Sequence, residues 1–134
     1  MKSKMEHFGP HLTIDGYHCD VKKLKDFDFV YKILNDLPDK IGMTKIMLPY
    51  VVKWKDKGST VDGISGFVMI AESHVSIHTF PQTNYITADV YSCKEFDTEK
   101  AVEYFRKAFG IREMEVNLVK RGRTIKARPV LAKA

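Results

Sequence analysis

Between residues 44 and 93 the chain offers four strand-like stretches in a row, TKIMLPYVVKW, GISGFVMIAE, SHVSIHTF and YITADVYSC, rich in Val, Ile, Phe and Tyr. The first is interrupted at Pro49 and followed by the loop KDKGSTVD. Helical patterns flank this block. DVKKLKDFDFVYKILNDL places Val21, Leu24, Phe27, Val30, Ile33, Leu34 and Leu37 at three- and four-residue spacings, with Asp20 as N-cap and Pro38 just past the end. DTEKAVEYFRKAF forms a second helix, opened by Asp97 or Thr98 and closed by Gly110. One strand precedes everything, HLTIDGY with Leu12 and Ile14 alternating against polar neighbours, and REMEVNLVKR closes the order with Met114, Val116 and Leu118 on one face. Strand, helix, four strands, helix, strand suits an α+β fold. The expectation is a two-layer αβ sandwich, an antiparallel sheet with two helices on one face.

The other face of that sheet needs a purpose. In YITADVYSC, Ile86, Ala88 and Val90 point one way and should meet the helices, while Tyr85, Thr87, Asp89, Tyr91 and Cys93 point the other. This second set mixes polar and aromatic side chains and resembles a site or a subunit contact more than a core.

Composition narrows the classes. The 134 residues, 44% hydrophobic and 29% charged, suit one domain over 1–134 with one core. No run approaches the roughly 20 apolar residues of a membrane span, and the basic start lacks the apolar segment of a signal peptide, so a cytoplasmic protein is expected. Cys19 and Cys93 lack C-x-x-C spacing and are expected as thiols. The net charge of +5 lies partly in the tail, where Lys120, Arg121, Arg123, Lys126 and Arg128 have no interleaved aromatics to stack bases; no nucleic-acid partner is expected.

GISGFVMIAESHVSIHTFPQ, residues 63–82, carries serines, histidines and a glutamate inside the most apolar part of the chain, where unpaired polar groups are costly. His74 and His78 have a helix-type chelating spacing, but in a strand they stand about 13 Å apart and cannot share one ion, so no metal is expected. Ser65, Ser73 and Ser76 lie near histidines, yet GISG lacks the G-x-S-x-G elbow and leads into a strand. No glycine-rich phosphate loop is present.

Over GISGFVMIAESHVSIHTFPQTNYITADVYSC the chain closely resembles the bacterial and archaeal S-adenosylmethionine decarboxylase proenzymes, a pyruvoyl-dependent family. FGPHLTIDGYHC and both helices extend the likeness over most of the chain. The resemblance implies that the Ser73 hydroxyl attacks the Glu72 carbonyl, that elimination cuts the chain between Glu72 and Ser73, and that hydrolysis leaves a pyruvoyl group derived from Ser73. The products would be a β chain, 1–72, and an α chain, 73–134. That group acts as an electron sink through a Schiff base with the substrate amine. By motif position, His78 matches the base of the elimination, Ser65 the serine assisting processing, and Cys93 the proton donor after decarboxylation. Glu72 precedes the cut and also helps hold substrate. Phe80 matches the adenine-stacking aromatic, and Trp54 or Tyr50 could supply a second. The resemblance also implies a homodimer whose sheets pair edge to edge, with two sites at the interface.

The implied activity is decarboxylation of S-adenosylmethionine, supplying the aminopropyl donor for spermidine synthesis. Family members usually carry Glu directly after the proline of HTxP, where it binds ribose hydroxyls. Here Gln82 stands there, an amide in place of a carboxylate whose charge-assisted bonds are about twice as strong. Two other readings share these residues: the same fold and pyruvoyl chemistry acting on arginine or ornithine, and a chain that never self-cleaves and serves as a binding partner.

Overall fold

The computed structural model describes residues 8–124. Seven strands, β1 (Gly9–Tyr17), β2 (Thr44–Lys45), β3 (Tyr50–Trp54), β4 (Gly63–Ala71), β5 (Ser73–Phe80), β6 (Tyr85–Ser92) and β7 (Glu113–Arg121), form one sheet. Every pairing is antiparallel. Short β2 and β3 both pair with β4 at one edge, and β5, β6, β1 and β7 follow in that order. The expected interruption at Pro49 is the gap between β2 and β3; proline has no N–H for the ladder.

The helices are α1 (Val21–Leu24), α2 (Phe27–Lys40) and α3 (Thr98–Phe109). The single helix expected over 20–37 is two, because a second aspartate restarts it. Asp20 accepts the Lys22 N–H, the chain becomes extended at Asp26, and Asp26 accepts the Phe29 N–H. Pro38 lies inside α2 rather than past it. Near the C-terminal end its missing N–H costs one bond only, and its carbonyl accepts the N–H groups of Ile41 and Met43. For α3 both expected signals hold: Asp97 caps the start, and Gly110 closes the end with φ +60°, a conformation glycine adopts freely.

One sheet face meets the helices. Leu24, Val30, Leu34, Leu37, Phe105 and Phe109 pack over Leu12, Ile14, Ile64, Val68, Val75, Ile77, Ile86 and Val90, all buried. Ile86, Ala88 and Val90 thus face the core as their alternation requires. Met114 packs against this core, whereas its same-face neighbours Val116 and Leu118 are exposed on the edge strand. Gly66 of GISG serves packing. A Cβ there would lie 2.8 Å from Leu34 and 2.9 Å from Val51, so its absence lets α2 approach the sheet. Thr79, buried in β5, donates to the Leu24 carbonyl and accepts from the Ile64 N–H, tying α1 to the sheet. Among the described residues no helix is long and apolar enough to cross a membrane. Lys126 and Arg128 of the basic tail lie outside the described residues.

Candidate active site

Of the candidate residues, Ser73, His78 and Phe80 lie on β5, Trp54 on β3 and Ser65 on β4, while Glu72, Gln82 and Cys93 stand just beyond strand ends. At the first residue of β5, the turn joining β4 to β5 spans only Ala71 and Glu72, because Ile70 pairs with Ser73. Ser73 has φ +116°, a region that side-chain-bearing residues rarely occupy and that clusters at functional positions. The same turn meets the end of β6. Ser73 pairs with Ser92, and the Cys93 N–H donates to the Glu72 carbonyl at 3.3 Å. Three of the residues singled out by motif, Glu72, Ser73 and Cys93, therefore converge. The Cys93 N–H aims at the carbonyl of the bond between Glu72 and Ser73, where a donor stabilises negative charge that develops on oxygen. Neither cysteine is in a disulfide. Cys19 is the inert one: burial pushes its thiol up to about 11.

The opposite end of β5 holds the other candidates. Ser65 on β4 and His78 on β5 are direct cross-strand partners, and Ser65 Oγ lies 2.8 Å from His78 Nδ1. Past them Trp54, Ser59, Ser65, Phe80 and Gln82 line one cavity of about 230 Å³. The Gln82 amide nitrogen donates to Ser59 Oγ at 2.7 Å, and the Trp54 Nε1–H donates to Asp56. Phe80 is exposed at its rim and stacks on Tyr85, centroids 5.5 Å apart. Of the two aromatics left open by sequence, Trp54 shares the Phe80 cavity, whereas Tyr50 sits against Phe67 towards the other end.

These two groups do not meet within the chain. Ser73 and His78 are five residue steps apart along the strand, about 16 Å at the usual rise, and Ser65 stands level with His78. Within one protomer Ser65 and His78 therefore stand away from Ser73. A strand is stiff, and its side chains cannot fold back along it.

Between the two ends lies a network that motif reading missed. Asp89 of β6 accepts on Oδ2 from His11 Nε2 at 2.6 Å and from His74 Nε2 at 2.9 Å, and on Oδ1 from the Ser76 hydroxyl. Burial alone would raise the Asp89 carboxyl, but hydrogen bonds from His74, Ser76 and His11 outweigh it and hold it at about 2. The hydrogen bond to Asp89 raises the His74 imidazole. The two histidine nitrogens and the carboxylate oxygen lie within 4.8 Å of one another, a donor set of metal-binding type. Here those atoms are hydrogen-bonded to each other, and Arg121 Nη1, 3.4 Å from His11 Nδ1, adds positive charge. The signal available in sequence was alternation, which put Asp89 and Tyr91 on this face. Nothing local put His11 beside them.

The chain is similar to known proteins over most of its length. The family model described as S-adenosylmethionine decarboxylase matches residues 10–122. The S-adenosylmethionine decarboxylase proenzyme of Pyrococcus abyssi is 35% identical over 119 residues, 88% of this chain and 81% of that protein. The proenzyme of Acidithiobacillus ferrooxidans is 33% identical, covering 88% and 85%. Among solved structures, the adenosylmethionine decarboxylase of Aquifex aeolicus superposes with a TM-score of 0.75 at 26% identity, covering 88% of this chain and 93% of that one.

Proposed function

The chain belongs to the S-adenosylmethionine decarboxylase family, and from that premise we propose that it is a self-cleaving proenzyme whose active form decarboxylates S-adenosylmethionine in the cytoplasm. The observation that carries this is the Glu72–Ser73 turn, with the Cys93 N–H on the Glu72 carbonyl. The residues fit formation of a pyruvoyl group from Ser73. Its hydroxyl attacks the Glu72 carbonyl carbon, the peptide C–N bond breaks, and an ester forms. A base then removes the Ser73 α proton as the Cβ–O bond breaks, freeing the Glu72 carboxylate. Water converts the remaining dehydroalanine to the pyruvoyl group with loss of ammonia. That group supplies an electron sink which no natural side chain provides. Cys93, whose N–H meets the Glu72 carbonyl, would return a proton to the product carbon. Phe80, Trp54 and Gln82 line the cavity suited to the nucleoside, and Glu72 stands at the opposite end of β5, next to Ser73.

We further propose that the base and its serine come from a second copy. The Ser65–His78 pair is about 16 Å from Ser73 in its own chain, so it is available to the Ser73 of a partner. Edge-to-edge pairing, the arrangement implied by the resemblance, would not achieve this. Joined through β3, the two β5 strands would be five strand spacings apart, about 24 Å. Packing of the two helix-free faces, sheets about 10 Å apart and strands reversed, sets the Ser73 end of one β5 over the His78 end of the other. Val52, Trp54, Phe67, Met69 and Phe80, exposed on that face, favour such a cover.

The test is intact mass and borohydride reactivity of the purified protein. The expected result is two chains divided between Glu72 and Ser73, a reducible carbonyl on the second, and carbon dioxide released from carboxyl-labelled S-adenosylmethionine. Ser73→Ala should remain one 15.4 kDa chain without that carbonyl. A persistently uncut wild-type chain would overturn the proposal.

A further inference from the structure

A second cavity, about 500 Å³, adjoins Ser73 and is lined by Phe67, Met69, Ser73, His74, Tyr91 and Arg121. Two of its walls are apolar, and two of its six side chains are basic. Arg121 is the last residue of β7, and its guanidinium lies over the Tyr91 ring, 4.5 Å from the centroid. Among the described residues no ion pair joins Arg121 to a carboxylate. The nearby Asp89 is already shared by His11, His74 and Ser76. Besides a 3.4 Å contact from Arg121 Nη1 to His11 Nδ1, the cavity thus presents a guanidinium that lies over an aromatic ring and has no carboxylate partner among the described residues, to whatever occupies the position next to Ser73. That is the chemistry which recognises a carboxylate.

We propose that Arg121, with His74 beside it, holds the α-carboxylate of the substrate in this cavity, while Phe67 and Met69 cover the adjoining methylenes. The inference rests on the reading of Ser73 as the reacting position and deepens it. The carboxylate is also the group that leaves. As neutral carbon dioxide forms, the negative charge moves away from Arg121, so the contact is stronger in the ground state than in the transition state. Its removal should weaken substrate binding without lowering the rate of the bound complex. A side chain that only supported the fold would lower both.

The experiment uses the full chain carrying Ser73→Ala, which cannot form the pyruvoyl group, with binding followed by calorimetry. S-adenosylmethionine should bind at least about tenfold more tightly than its decarboxylated amine, which lacks the anion. Adding Arg121→Gln should weaken the former about tenfold, leave the latter unchanged, and so abolish the difference; Arg121→Lys should fall between. In the cleaved enzyme, Arg121→Gln should raise KM by a similar factor with kcat unchanged or higher. Equal affinities for the two ligands before Arg121 is altered, equal weakening of both by Arg121→Gln, or a fall in kcat would each overturn the assignment. These results differ from failure of the underlying reading, in which the unaltered chain stays uncut and inactive.

Discussion

The two ends of β5 are built by different means. At the Ser73 end the backbone does the work: a two-residue turn, a positive φ at Ser73, and the Cys93 N–H on the Glu72 carbonyl. At the His78 end it is side chains, a serine–histidine pair and a cavity with an aromatic rim. On the proposed reading, one end holds the bond to be broken and the other holds the base. On that reading each end is half a site, and because the strand between them is stiff, the proposed second copy would supply the missing half.

The largest effect should come from separating the halves genetically. Ser73→Ala and His78→Ala should each be uncut and inactive alone. Co-expressed, they should form mixed dimers with one intact composite site, and cleavage of the His78→Ala chain should return with roughly a quarter of wild-type activity, the share given by random pairing. No rescue would mean that each chain serves itself, and the comparison would collapse.

A smaller effect sharpens the backbone character of the Ser73 end. Cys93→Ala keeps the N–H that meets Glu72, so self-cleavage should persist. Decarboxylation should fall about 100-fold, the usual cost of losing a proton donor, as measured by labelled carbon dioxide release.

The network between the ends should report through stability. The folded Asp89 carboxyl is depressed to about 2. Its contribution is therefore fully present above the unfolded value near 4, and is lost as pH falls from about 4 towards 2, with an amplitude of about 2 kcal/mol. His74 has the opposite sign. Its imidazole is raised, so its contribution is complete below about 6.5 and is lost as pH rises through the folded value. Urea midpoints from pH 2 to 8 should fall at both ends, and Asp89→Asn should flatten both limbs.

The smallest expected effect concerns the Gln82 cavity, the proposed nucleoside end. Gln82→Glu replaces a neutral acceptor by a charged one and should lower KM about fivefold with little change in kcat. A rise in KM would show that the Gln82–Ser59 bond matters more than the carboxylate.

Much of this was legible in sequence because it depends on neighbours along the chain. The 3.6-residue pattern marks the residues of α2 that reach the core, and alternation sorts β6 into a core face and a site face. The motif ESHVSIHTFP carries the resemblance that implies which bond is cut. Local signals also mislead where two compete. Asp26 lies within a continuous helical periodicity, and only its hydrogen bond to the Phe29 N–H reveals that the helix starts again there.

By itself, then, the sequence determined the elements, which face of each is apolar, and the chemical types available on the open face, since these follow from the order of residues within a few positions. Tertiary structure alone decided the meetings. Strand register brings Ser65 to His78, and the order of β5, β6 and β1 brings His74, Asp89 and His11 together, residues as far as 78 positions apart. Register belongs to the whole sheet, because a shift of one residue would turn every side chain of a strand to the other face. The same rigid register that makes those meetings holds His78 away from Ser73.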